Sequence, residues 1–115
     1  MSRAHELAWA AGFFDGEGYV TIGRRNQKIK DKQYIGYYLR IGINHVAPEP
    51  LQDFHKLFGG KLEYSDNIIG NRKPRWRWIA NTETAKQILI QLMPYFRNKQ
   101  KPAELGIEFQ NTMKQ

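Results

Sequence analysis

Apolar residues recur along this chain with two different periods, and the changes of period mark out its elements. From Ala4 to Asp15, Leu7, Ala8, Ala11, Gly12 and Phe14 gather on one side of a helical repeat, which predicts a helix with a small-residue face. Gly16 and Gly18 are expected to end it. Tyr19–Arg25 alternates as a strand does, with Val20 and Ile22 toward a core and Tyr19, Thr21 and Gly23 between them. Arg24–Gln33 reads as a polar, lysine-rich connection. Tyr34–Asn44 alternates again: Tyr37, Leu39, Ile41 and Ile43 make one face, and Tyr38, Arg40 and Asn44 belong to the other.

The second half repeats the scheme. Pro48–Phe58 is a predicted helix, begun by proline, striped by Leu51, Phe54 and Phe58, and ended by Gly59-Gly60. Lys61–Ser65 and Arg75–Asn81 read as strands around a turn at Asp66–Pro74. Asn81 or Thr82 is the expected cap of a third helix, whose stripe is Ala85, Ile88, Leu89, Leu92 and Met93. Pro94 ends or bends it, and a last helix begins near Pro102, carrying Leu105, Phe109 and Met113. The order α-β-β-α-β-β-α(α) predicts an α+β fold: a four-stranded antiparallel sheet with helices on one face and the other face free.

Length and composition narrow the class. At 115 residues and 41% hydrophobic content, the chain suits one domain over 1–115 with a modest core, which oligomerisation would help to complete. There is no cysteine, so disulfides and thiolate metal sites are excluded and an intracellular setting is expected, in a prokaryotic or phage cytoplasm or an organelle. The longest apolar run, Leu7–Phe14, is too short to span a bilayer, so no membrane partner is expected. Nothing points to a small-molecule cofactor. The net charge of +7 points to a polyanionic partner, and nucleic acid is the commonest.

The positive charge is concentrated where the free sheet face should be. Arg24, Arg25, Lys28, Lys30, Lys32 and Arg40 lie on or beside the first two strands, opposed by Asp31, and Arg72, Lys73, Arg75 and Arg77 lie on or beside the last two. A solvated strand face also carries such residues, but ten cations in these stretches favour a basic surface. A β-ribbon of this kind fits the DNA major groove, where arginine grips guanine bidentately and lysine grips phosphate. The candidate DNA contacts are Thr21, Arg24, Arg25, Lys28, Tyr38, Arg40, Arg72, Arg75 and Arg77.

The segment Ala10-Ala11-Gly12-Phe13-Phe14-Asp15-Gly16-Glu17-Gly18 resembles the motif that names the LAGLIDADG homing endonucleases, with Ala10 in place of the first leucine and Glu17 as the second acid. Pro94-Tyr95-Phe96-Arg97-Asn98-Lys99-Gln100-Lys101 is similar to the family's proline-aromatic stretch that leads to a lysine. With the order of elements, the resemblance spans essentially the whole chain. It implies a homodimer, because one motif helix per chain needs another to pack on. Ala8, Ala11, Gly12 and Asp15 are the expected interface, small residues that let helices approach closely.

The resemblance further implies a staggered, metal-dependent double-strand cut in a long, roughly palindromic DNA site. Glu17 and the Gly16 carbonyl would hold Mg²⁺ or Mn²⁺, hard cations that prefer oxygen. Catalytic roles fall to Glu17, to Lys99 beside the scissile phosphate, with Lys101 as its rival, and to Asn44 ordering water, with His45 as its rival. Asp15 is expected to cap or pair rather than to bind metal. The alternatives are a non-cleaving DNA- or RNA-binding protein on the same fold, a maturase or regulator, and a basic structural domain of a ribosome-like assembly.

Overall fold

Ser2 opens the first helix, α1 (Arg3–Glu17), by accepting a hydrogen bond from the His5 amide at 3.2 Å, as a polar cap should. The computed structural model to which this helix belongs describes residues 2–65 and 75–113. Gly18 follows α1 at once as both its cap and the first residue of β1 (Gly18–Ile29), so Glu17 stands at a helix-to-strand junction.

β1 pairs antiparallel with β2 (Lys32–His45) from Gly18↔Ile43 to Ile29↔Lys32. Lys30 and Asp31 close this hairpin with φ of 50° and 66°, the doubly left-handed geometry of a two-residue turn whose twist suits the strands. The expected connection over Arg24–Gln33 is therefore mostly strand, the outer half of a long ribbon. It is polar on both sides because both sides meet solvent beyond the helices, which removes the alternation that would have revealed it.

α2 (Glu49–Phe58) ends at Gly59, whose φ is 75°, and β3 (Lys61–Ser65) follows. β4 (Arg75–Asn81) then enters the sheet between β2 and β3, giving the order β1-β2-β4-β3 with every pair antiparallel. α3 (Thr82–Leu92), a 3-10 turn (Met93–Tyr95) and α4 (Gln100–Thr112) complete the described chain.

The helices cover the sheet face carrying Leu39, Ile41, Ile43, Trp78 and Ala80. Ala10, Ala11 and Phe14 of α1, Leu51 and Phe54 of α2, and Ile88, Leu89 and Leu92 of α3 fill the space above it. Trp78, Phe14 and Phe54 are fully buried, each contributing roughly 1.5–3 kcal/mol. The indole of Trp78 donates to the Gly59 carbonyl at 2.8 Å, so its polar atom is not stranded in the core.

Several expectations are corrected. Asn81 precedes α3 without capping it, because its side-chain oxygen is taken by Arg40 at 2.9 Å. In α4 the inward face is Ala103, Gly106 and Gln110, while Leu105 and Met113 are about half exposed. The helix lies so close to the sheet that a Cβ at Gly106 would come within 2.9 Å of Leu39 and 3.1 Å of Val20; small residues face the sheet and the bulky ones are turned outward. Ala8 and Gly12 of α1 do not share the buried face of Ala11 and Phe14 but lie exposed on the opposite one.

Candidate active site and nucleic-acid interface

The C-terminal end of α1 gathers the chemistry. The Asp15 carboxylate accepts hydrogen bonds from the backbone amides of Arg97 at 2.7 Å, Asn98 at 3.1 Å and Lys99 at 2.9 Å. These amides belong to the loop that starts α4, so Asp15 caps that loop from another helix, the structural role expected of it. The Lys99 ammonium completes the junction by donating to the Asp15 carbonyl at 2.9 Å, a cation on a helix C-terminus. Two segments more than eighty residues apart are thereby locked together, and the lysine is delivered to the end of the motif helix.

Glu17, the last residue of α1, is exposed, and it forms no hydrogen bond or ion pair among the described residues. Asn44 stands beside it: Ile43 is the register partner of Gly18, and Asn44 is the next, exposed residue of β2. His45, its rival, is turned to the helix side. Its ring lies 5.4 Å from Phe13, and its Nδ1 accepts from the Ala47 amide at 3.0 Å. The Glu17 carboxylate and the Gly16 carbonyl suit a hard cation in kind. Among the described residues, no three His, Cys, Asp or Glu side chains gather as a metal site.

The sheet face away from the helices carries the second candidate site. Partners in an antiparallel ladder point the same way, so Thr21, Arg25, Tyr38, Arg40, Arg75 and Arg77 share this face. Tyr38 crosses to β1, where a side chain at position 23 would run into its ring and glycine leaves room. The guanidinium of Arg25 stacks on that ring at 4.7 Å and that of Arg40 at 5.2 Å. Arg24 and Lys28 fall on the other side of the ribbon by register, exposed beyond the helices; strand alternation divides what sequence proximity had grouped. Arg72 lies outside the described residues.

An acid on this face was missed. Glu63 on β3 is the register partner of Arg77 and accepts from its Nε at 2.9 Å and from its Nη2, while Lys61 lies 3.2 Å away. Hydrogen bonds from Arg77 and then Lys61 hold its carboxyl below the usual carboxylate range, so it is ionised at neutral pH. The alternation of Lys61–Ser65 carries the signal that could have found it, once β3 is set against β4.

The opposite side of α1 is bare. Ala8, Gly12 and Gly16 form an exposed row at helical spacing, and a Cβ added at Gly12 or Gly16 would meet nothing within 4 Å. Ala11, expected in this row, is instead fully buried in its own core and is unavailable to a partner; its position one residue before Gly12 turns it away from the row. The Asp15 carboxylate is likewise engaged within its own chain.

Comparison with known proteins bears directly on this arrangement. A family model described as LAGLIDADG endonuclease matches residues 10–112, from the motif helix through α4. The chain belongs to the LAGLIDADG endonuclease family. No curated protein matches it at the sequence level. Solved structures of homing endonucleases share its fold. I-CvuI in complex with the I-CreI target, with 2 mM Mg and the DNA not cleaved, aligns at a TM-score of 0.73 and 18% identity, covering 94% of this chain and 67% of that one. The archaeal intron-encoded I-Vdi141I complexed with DNA aligns at 0.76 and 13%, covering 97% and 70%. The group I intron-encoded I-CeuI complexed with DNA aligns at 0.70 and 12%, covering 98% and 57%. Among the described residues no helix is long and apolar enough to cross a membrane.

Proposed function

We propose that this LAGLIDADG chain is a site-specific DNA endonuclease that works as a homodimer and makes a staggered, metal-dependent double-strand cut in a long, roughly palindromic site. The observation that carries the reading is the end of α1. An unpartnered, exposed Glu17 stands there beside a lysine anchored to the same helix end, next to a row of small residues with open space in front of it. Two copies packed through Ala8, Gly12 and Gly16 would bring both Glu17 carboxylates to one point. Such an arrangement is costly for like charges unless a cation lies between them.

Within that dimer, Glu17 and the Gly16 carbonyl would hold Mg²⁺ or Mn²⁺. Held there, such an ion would supply an activated water and positive charge for the departing oxygen of the phosphodiester. Lys99 places a positive charge near the scissile phosphate and offsets the charge that develops there. Asn44, beside Glu17, orders the attacking water. Thr21, Arg25, Tyr38, Arg40, Arg75 and Arg77 seat the major groove, and Arg24 and Lys28 reach the flanking backbone from the other side of the ribbon. A two-fold dimer makes the site roughly palindromic for the same geometric reason that half-site repressors require it.

The test is incubation of the purified protein with a plasmid library of cloned random inserts, with Mg²⁺ and then with EDTA. Linear products from a subset of clones, lost on chelation, are expected. Retention of a DNA duplex with no cut in Mg²⁺ or Mn²⁺ would instead assign the chain to the non-cleaving binders of this fold.

A further inference from the structure

We infer that Arg40 and Arg77 are pre-aimed readers of two guanines about four base pairs apart in each half-site, and that Asn81 and Glu63 are the positioning residues that aim them. This rests on the reading of the sheet as a DNA-binding face. Both arginines are held by the same device. Arg40 on β2 donates its Nε to Asn81 Oδ1 on β4 at 2.9 Å. Arg77 on β4 donates its Nε to Glu63 Oε1 on β3, also at 2.9 Å, and its Nη2 to the same oxygen. In each pair the holder is the register partner on the neighbouring strand, so arginine and holder rise from one face of the sheet. Arg40 has a further stop, the Tyr38 ring on which its guanidinium rests.

A guanidinium held at Nε keeps its far edge, Nη1 and Nη2, as a fork of parallel donors. That fork matches the O6 and N7 acceptors of guanine in the major groove. An arginine left loose would give up side-chain freedom on binding; one already aimed keeps that loss small. The spacing follows from the register. Arg40 lies opposite Asn81, and Arg77 stands four residues before Asn81 on β4, so the readers are about 13 Å apart along the strands at ~3.3 Å per residue. DNA rises ~3.4 Å per base pair, which places the bases they address about four pairs apart. Glu63 also explains itself here: a carboxylate on a DNA-facing surface repels phosphate, and Arg77 and Lys61 neutralise it while it does the aiming.

The experiment is selection of bound duplexes from a randomised library by the full chain at fixed salt, repeated with Glu63→Ala, Glu63→Gln, Asn81→Ala and Arg77→Lys. The native chain should enrich guanine at two positions about four base pairs apart, each discriminated roughly tenfold or more against other bases. Glu63→Ala should erase the preference at one position only, and Glu63→Gln, whose amide oxygen still accepts from Nε, should restore it. Asn81→Ala should erase the other. Arg77→Lys keeps the charge without the fork, so it should lose the same guanine as Glu63→Ala; this also covers the case of a Glu63 variant that fails to fold. A chain that binds duplexes without these guanines, or keeps both in Glu63→Ala and Arg77→Lys, overturns the inference while leaving the DNA-binding reading intact. A native chain that retains no duplex overturns that reading, and this inference with it.

Discussion

Replacing Asp15 by alanine should loosen the joint between the motif helix and α4. The carboxylate accepts three backbone amides at 2.7, 3.1 and 2.9 Å, and no other described residue offers them an acceptor. A hydrogen bond to a charged group contributes about 1.5–3 kcal/mol net, and the loss of an ordinary helix cap costs about 0.5–2 kcal/mol. Arg97 and Asn98 are exposed, so water takes up part of what their amides lose, and the sum is well below three full bonds. A loss of about 2–3 kcal/mol follows for Asp15→Ala. Asp15→Asn should lose about half of that, because its oxygen still accepts while its amino group confronts a donor. For a domain of this size the alanine change corresponds to a fall in Tm of about 10 °C. Thermal unfolding followed by circular dichroism, at one protein concentration for all variants, measures it. Cleavage should slow as well, since the loop carrying Lys99 is no longer fixed. A melting temperature within ~2 °C of the native value, the usual range of surface substitutions, would refute the reasoning.

A Cβ at Gly12 meets nothing within 4 Å, and Gly12→Leu improves helix propensity, so each subunit should fold while sedimentation at micromolar concentration shifts from dimer to monomer and cutting stops; a native chain that sediments as a monomer and still cuts contradicts the dimer. Gly106→Val should drive side-chain atoms into Leu39 and Val20 and cost about 1–3 kcal/mol in urea unfolding, and an unchanged midpoint would show that α4 is free to shift. The Glu63 carboxyl is lowered in the folded chain, so its pairing stabilises above the unfolded carboxylate value and is lost as pH falls through the lower, folded one. Native protein should therefore lose more stability than Glu63→Gln between pH 6 and pH 3, and parallel curves would remove the pair from the account.

What could be read from the sequence was whatever a single period or a short motif encodes. The stripes of α2 and α3 and the alternation of Leu39, Ile41 and Ile43 each fix one face against the core, so those elements fall where expected. The motif gave Glu17 at a helix end, and the proline-aromatic stretch gave Lys99. Neither revealed that Asp15 binds the loop bearing Lys99, because that contact joins parts of the chain far apart in sequence. The outer ribbon escaped because both its faces are solvated, and its Lys30-Asp31 turn lacks the glycine that usually signals such hairpins. On α4 the period was read from the large residues Leu105, Phe109 and Met113, whereas close packing on the sheet selected the small ones, Ala103 and Gly106. Glu63 and Asn81 became meaningful only with strand register, which places them beside Arg77 and Arg40.

The most direct measurement is cleavage by Glu17→Gln of a target it already holds. The amide keeps the size of the side chain, and Glu17 forms no contact that the fold needs among the described residues, so folding should be unchanged. Binding should be equal or tighter, because the arginine face is untouched and a negative charge near phosphate is removed. Strand cleavage on addition of Mg²⁺ should be lost, since a neutral amide is a poor ligand for a hard cation. A variant that binds the target and cuts it at the native rate would place the catalytic centre elsewhere and contradict the account.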